Sequence, residues 1–452
     1  MKHIPTNEII MPERHADVLG YTFIWNNHFL RGIFPDSEEL ARSYFSSGFI
    51  DEIVRLGLFP KTWISDYQNE QFAFIIEHEF ITPIIYANEW NFAMLKDAAL
   101  MVIQIASIAR QYNYNMYDCH KLNVLFKNNQ PMYVDLGSFI PMTKDSPGWH
   151  PYMGFLSSYY YILKMWSDGA NMLAKRMMAP AVSLEQVDYL VYHRHIYRIC
   201  PRLRSLRMSL EKALCYLSSV PNEKIQNYIT STNHGRLISK SVSILKRLVV
   251  LFHLSPSMHL CRLEKRIKRL NLRDNNNVEK CLIPNDVISN ALSQAGDFHS
   301  VTFVDIPSPS SIAEIIAEND IDGTIISIQQ DNKLSDYEYT IYKNNNLNLF
   351  SVSFKLTKGE VLTRDKFPEK RLLSDLVVVA SAGIKENNNY FSALNYLSYI
   401  TSCIRFSSRK NLCLIQLKSD DKFETLLKER FNITILYPIG QERVILIKEN
   451  EP

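Results

Sequence analysis

Nothing in this 452-residue chain pairs its cysteines: Cys119, Cys200, Cys215, Cys261, Cys281, Cys403 and Cys413 are scattered, with no CxxC or CxxH spacing. That argues against a disulfide scaffold and a structural zinc site, and a reducing cytoplasm fits best. No uninterrupted apolar run approaches the length of a membrane span. Met1-Lys2-His3-Ile4-Pro5 is followed by Glu8 and no small-residue cleavage site, so the pattern predicts no secretory signal. Glycine-rich phosphate loops of the GxGxxG kind are missing; Gly20 and Gly32 stand alone. Charge of one sign is missing as well, with 50 Lys and Arg against 47 Asp and Glu and a net charge of +3, which argues against a nucleic-acid partner.

What is present is chemically sharper. Tyr117 to Phe126, Lys127-Asn128-Asn129-Gln130 and Pro131 to Phe139 read as two short apolar strands about an Asn-Asn turn. A hairpin brings its ends together, placing Asp118 and Asn123 before its first strand and Asp135 after its second. Phosphoryl transfer needs such a set: a carboxylate to take the hydroxyl proton, with an amide and a second carboxylate to hold magnesium on nucleotide phosphates. The expectation is Asp118 as general base, Asn123 and Asp135 as metal ligands, and ATP with Mg2+ as cofactors. The competing reading is an ordinary turn, where Asp and Asn are common. Cys119 lacks a convincing base to make it a nucleophile, and His193-Arg194-His195 has no third metal ligand in sight.

The rest of the chain supplies a frame. Tyr21–Trp25 and His28–Phe34 predict strands about Asn26-Asn27; Asp36 to Leu58 has helical spacing; Thr62–Ile64 and Phe72–Ile76 suggest a second hairpin. Thr82–Tyr86 reads as a connector, and Asn91 caps a helix running to Gln111. This order of strands, helix, strands, connector, long helix, catalytic loop and hairpin is that of a kinase-like fold. It predicts a small lobe over 1–90 and a large lobe over 91–235, joined by a basic helical connector over 236–280 to a third part, 281–452. Arg236 to Arg273 holds ten basic residues against Glu264, and Asp274–Asn277 is the best linker candidate. The basic stretch is open to two readings: an anionic membrane surface or assembly partner, or a solvated helical face packing by its apolar side. From 281 onward strand-like and helix-like segments alternate: Val301–Asp305, Thr324–Ile328, Leu376–Ala380, Leu412–Gln416, Ile433–Tyr437 and Val444–Ile447. That is α/β wording.

Glu89 to Leu100, Tyr117 to Phe139 and Pro147-Gly148-Trp149, with Ser374–Val378 and Gln441–Leu446, resemble bacterial two-part proteins of the class I S-adenosylmethionine-dependent methyltransferase group, nodulation or polysaccharide-cluster type. The resemblance implies a Rossmann-like, methyltransferase-like carboxy-terminal domain. Its cofactor turn should be glycine-rich, yet Asp305-Ile306-Pro307-Ser308-Pro309-Ser310-Ser311 has no glycine and two prolines. The second strand ends Ile328-Gln329-Gln330 with Asp331 late, and Ala380–Lys385 lacks paired histidines. On these departures methyl transfer is expected to be lost, leaving a Rossmann-like shell that serves as a structural or binding domain, with S-adenosylmethionine not its expected cofactor.

Resemblance to kinases implies roles for further residues. Arg31 is the candidate phosphate-pairing cation, Glu39 its helix partner, and Lys121 a group steadying the transferred phosphoryl. Met116-Tyr117 stands where His-Arg is expected, and Asp135-Leu136-Gly137 where Asp-Phe-Gly is. The leading expectation is a cytoplasmic phosphotransferase for a small molecule, sugar or surface-glycan precursor, membrane-associated under the first reading of the basic stretch. A methyltransferase of polysaccharide assembly and a non-enzymatic scaffold are the alternatives.

Overall fold

The computed structural model describes residues 2–9, 17–82, 84–142, 149, 151–179, 184–193, 256–272, 301–304, 306, 325–329, 332–344, 349–353, 376–380, 411–416, 421–430, 432–439 and 442–448, with isolated positions between them. The chain divides into two compact units. The first comprises 1–80, 95–125 and 131–273; the second comprises 81–94, 126–130 and 274–452.

In the first unit, β1 (Lys2–His3) pairs in parallel with β5 (Tyr67–Gln68). A four-stranded antiparallel sheet has the order β2 (Gly20–Trp25), β3 (His28–Ile33), β6 (Phe74–His78), β4 (Thr62–Ile64). Asn26 and Asn27 both take positive φ, 46° and 64°, as a tight two-residue hairpin demands. Inward residues Leu30 and Ile75 join Ile4, Ile9, Tyr67 and Phe72 in one apolar core. Phe72 lies so close over Gly32 that a Cβ there would meet its ring at 2.3 Å, so this glycine serves packing. The single helix expected over 36–58 is two, α1 (Glu38–Ser46) and α2 (Phe49–Arg55), because Gly48 sits between them at φ 78°.

Helix α3 (Phe92–Gln111) begins where Asn91 accepts the Met94 amide at 2.9 Å, the bond that defines an N-cap. Most of it is buried, from Met94, Leu95 and Ala98 to Ile105 and Ala109, while Gln104 and Gln111 are exposed. By length and composition alone it could cross a membrane, but 61% of its most apolar window is buried inside the protein. After it come β7 (Tyr114–Met116), the hairpin β8 (Val124–Lys127) and β9 (Gln130–Tyr133), and β10 (Phe139–Pro141), which pairs with β7. Short helices α4 (Tyr152–Phe155), α5 (Tyr161–Ser167), α6 (Asn171–Arg176) and α7 (Gln186–His193) follow, a π-helical turn at Leu156–Tyr160 joining the first two.

Of the basic stretch, Arg236, Lys240, Lys246, Arg247 and Arg273 lie outside the described residues, as does the apolar series Ile238 to Phe252. Its described part is α8 (Pro256–Lys268), which buries Leu260, Leu263 and Ile267 along one side and exposes Arg262, Lys265 and Lys268. Lys96 Nζ donates to the Leu270 carbonyl at 2.7 Å, placing a cation at the helix's carboxy-terminal end.

Among the described residues the second unit holds seven strands: β11 (Val301–Val304), β12 (Ile325–Gln329), β13 (Leu349–Ser353), β14 (Leu376–Ala380), β15 (Asn411–Gln416), β16 (Asn432–Ile439) and β17 (Glu442–Lys448). Their order is β13-β12-β11-β14-β15-β17-β16. The first five run parallel; β17 is antiparallel to both β15 and β16. Parallel strands covered on both faces read as unbroken apolar runs, and Leu376-Val377-Val378-Val379 is fully buried. Helices α9 (Asn332–Asn344) and α10 (Asp421–Arg430) lie between strands in sequence. The unit is a Rossmann-like α/β fold whose chain reverses its direction of growth beside β11.

Candidate functional site

Two pairings build the polar cluster of the first unit. Hairpin β8–β9 returns the chain so that Val134 N donates to Asn123 O at 2.9 Å; the β7–β10 pair sets Tyr117 N on Ser138 O at 2.7 Å. Asp118, Asn123 and Asp135 converge as a result. The Asn123 amide donates to Asp118 Oδ2 at 3.1 Å and lies 3.5 Å from Asp135 Oδ2. Asp118 Oδ1 accepts the His120 amide at 3.0 Å, and Asp135 Oδ1 accepts that of Gly137 at 3.1 Å. Ser138 Oγ donates to the other Asp135 oxygen. The Tyr133 hydroxyl closes the cluster from below, donating to Asp118 O at 2.9 Å, and burial pushes its pKa well above the usual phenol range.

Arg31, projecting from β3, enters the same cluster. Its guanidinium contacts Asp17 at 2.6 Å and Asp135 at 3.5 Å, with the side chain only 6% exposed. Glu39 is not brought to it: that residue lies exposed in the first turn of α1. Asp17 was missed by sequence reasoning. Its only local signal is a turn, its carboxylate accepting the Leu19 amide at 2.9 Å. Gly137 permits this approach, since a Cβ there would meet Asp17 Oδ1 at 2.6 Å. Lys121 is buried in the loop, 4% exposed, and burial lowers its pKa. Cys119 is buried too, its thiol pushed well up by burial and held 3.5 Å from Pro151 O, which leaves no thiolate for attack. Among the described residues, no group of three or more His, Cys, Asp or Glu side chains is placed to hold a metal ion.

In the second unit a ligand of such a fold would lie outside the carboxyl ends of the strands, at the switch point between β11 and β14. The parallel register that sets those ends level, Val304 beside both Ile328 and Val379, is in place. The turn residues Asp305 and Pro307–Ser311, and Gln330, Asp331 and Ser381–Lys385, lie outside the described residues.

No protein-family model matches the chain. Among curated proteins it is similar to the nodulation protein NoeA of Rhizobium meliloti (strain 1021), with 29% identity over 85 residues, 19% of this chain and 18% of that protein. The match thus spans less than a fifth of that relative's length. Similar solved structures include a methyltransferase from Pyrococcus furiosus, at 14% identity and TM-score 0.30, covering 37% of this chain and 82% of the other. A SAM-dependent methyltransferase from Aquifex aeolicus gives 12% identity and TM-score 0.28 over 37% and 89%. SMU.1697c from Streptococcus mutans, in complex with SAH, gives 12% and 0.26 over 37% and 97%. The strand order, read directly from the sheet, is what defines the fold. The expectation of ATP and Mg2+, with S-adenosylmethionine set aside, is corrected: the structural neighbours are methyltransferases, one of them holding SAH.

Proposed function

We propose that the chain is an S-adenosylmethionine-dependent methyltransferase of polysaccharide assembly, with a glycan-precursor hydroxyl as acceptor. One observation carries the reading: the sheet order β13-β12-β11-β14-β15-β17-β16 with a lone reversed strand at β17. The likeness to NoeA points the same way. The cofactor supplies an activated methyl group; the protein's part is to orient the acceptor oxygen and keep water out. Isothermal calorimetry with S-adenosylmethionine tests this directly. Saturable binding that SAH displaces is expected; no heat at high cofactor concentration sinks the reading.

A second reading is favoured by the convergence of Asp118, Asn123 and Asp135 around one amide. In it the first unit is a kinase-like site for the acceptor, where Asp118 takes the hydroxyl proton, Asn123 and Asp135 orient it, and Arg31 and Lys121 supply positive charge. Such a set suits phosphoryl transfer from a phosphorylated donor, whose bridging P–O bond breaks as the donor oxygen leaves, to an acceptor hydroxyl whose proton passes to Asp118. Asp118→Asn should then abolish transfer while leaving S-adenosylmethionine binding at the wild-type level; unchanged transfer removes Asp118 from the chemistry.

A further inference from the structure

Helix α8 carries two stripes of opposite character. Leu260, Leu263 and Ile267 are buried, as is Leu270 just beyond the helix, so the apolar stripe is used inside the first unit. Arg262, Lys265 and Arg269 repeat the same spacing two residues on, a displacement of about 200° around the axis, and all three are exposed. Between Pro256 and Arg269 there are five Lys and Arg against one acid, Glu264. That acid is taken by Lys268 at 2.6 Å. Among the described residues no carboxylate pairs with Arg262, Lys265 or Arg269. Solvated helical faces ordinarily alternate the two signs, which offsets repulsion between like charges. This stripe does not.

The stripe is also held in place. The Arg266 guanidinium lies over the Tyr160 ring at 4.2 Å, fastening α8 to the π-helical turn. Lys96 Nζ, from α3, donates to the Lys268 carbonyl at 3.3 Å and to that of Leu270 at 2.7 Å, closing the carboxy-terminal end. Tyr160 and Lys96 belong to the same unit as α8. The three cations therefore stand on a fixed scaffold, with little backbone order left to gain when a counter-surface arrives.

What suits such a stripe follows from its chemistry. Single-stranded nucleic acid is bound on exposed aromatic platforms between cations, but the ring nearest the stripe, Tyr160, is buried beneath Arg266. A net charge of only +3 argues against a duplex. A folded protein partner needs an apolar centre within a polar rim, and the apolar residues of α8 are already buried. A layer of lipid headgroups needs neither, being negative, fluid and able to arrange itself around fixed cations. We propose that the face formed by Arg262, Lys265 and Arg269 docks the protein on an anionic bilayer surface, by charge alone and without insertion of the helix. The proposal stands apart from both readings of the function.

Co-sedimentation of the full chain with vesicles tests it. Wild type should pellet at low salt with an equal mixture of phosphatidylglycerol and phosphatidylcholine, and stay in solution with phosphatidylcholine alone. Binding should vanish at about 1 M salt, where the screening length falls to about 3 Å. Each cation near such a surface changes affinity about fivefold, so Arg262→Gln with Lys265→Gln should weaken binding about 25-fold. Arg55→Gln with Lys61→Gln removes the same charge from exposed positions elsewhere in the first unit and should bind like the wild type. Circular dichroism and a thermal melt check the fold of each variant. If the α8 pair fails to fold, Arg269→Gln alone, beyond the helix, should still cost about fivefold. Wild type that ignores the charged vesicles, or pellets equally with phosphatidylcholine alone, overturns the proposal. So does equal loss in the two paired variants, which makes net charge the cause, and so does binding that survives high salt, which means insertion.

Discussion

His78 shows how a single side chain can make the fold sensitive to acid. It sits on β6, 5% exposed, with Nδ1 2.8 Å from Thr62 Oγ1 and the rings of Phe29 and Phe59 within 6.2 Å. Burial, aided by the nearby Arg31 charge, depresses its pKa from 6.5 to about 3. The unfolded chain therefore binds a proton in the window where the folded chain refuses it. Stability contributed by the neutral ring is complete above pH 6.5 and is lost as pH falls toward 3, at up to ~1.4 kcal/mol per pH unit. Denaturant titrations of the wild type and His78→Gln should therefore diverge across that window, the wild type losing stability more steeply on acidification. Parallel curves would mean that the ring is already charged or already solvated. Of the site residues, Asp118, Asn123 and Asp135 were legible because a hairpin with a marked turn fixes their proximity. Arg31 was legible as a cation and its true neighbour was not, because Asp17 lies in an unpatterned turn and reaches Arg31 only when β2 and β3 close.

Elements were most readable where a turn residue punctuates them. Asn26-Asn27 and Asn128-Asn129 each mark a hairpin, and each pair adopts the positive φ that asparagine tolerates. Between α1 and α2 the apolar spacing continues without a break, which hides the stop. Gly48 ends α1 in the left-handed region, its amide donating to Phe45 O at 3.0 Å, and α2 starts on a new axis. A methyl group at position 48 has room, the Tyr112 ring being 4.0 Å away. Gly48→Ala therefore isolates the backbone cost, about 1 kcal/mol of stability with an unchanged m-value in urea. A neutral result would show that the break is set by packing rather than by φ. Strand β13 and helix α9 were not singled out from sequence: Leu349–Ser353 alternates with serines and α9 buries Glu338, Ser335 and Asp336. A polar seam inside a fold has no hydrophobic period to detect.

At the scale of the whole molecule, the carboxy-terminal fold is not contained in the carboxy-terminal sequence. Segments 81–94 and 126–130 belong to the same compact unit as 274–452. They bring in Trp90, fully buried, and Asn91, whose amide binds the Ser351 carbonyl at 3.0 Å. Ser353 Oγ lies 3.4 Å from the Trp90 carbonyl. Losing a buried tryptophan alone costs about 3–5 kcal/mol, a large share of a domain's net stability. A fragment of residues 274–452 should therefore lack a cooperative thermal transition, while the full chain unfolds with one. A fragment melting sharply near the temperature of the full chain would show the two inserted segments to be dispensable.

The sequence by itself determined six of the seven described strands of the α/β half, the long capped helix at Asn91, the Asn-Asn hairpins and the meeting of Asp118, Asn123 and Asp135. Each follows from short-range patterning, a period of two or of 3.6 residues, or a residue that tolerates positive φ. Tertiary structure alone decided the order of the seven described strands. It also decided the partnering of Arg31 with Asp17 and the inclusion of Trp90 and Asn91 in the second unit. Strand order and such distant contacts arise from burying surfaces far apart in the chain, and no local spacing encodes which surfaces those will be.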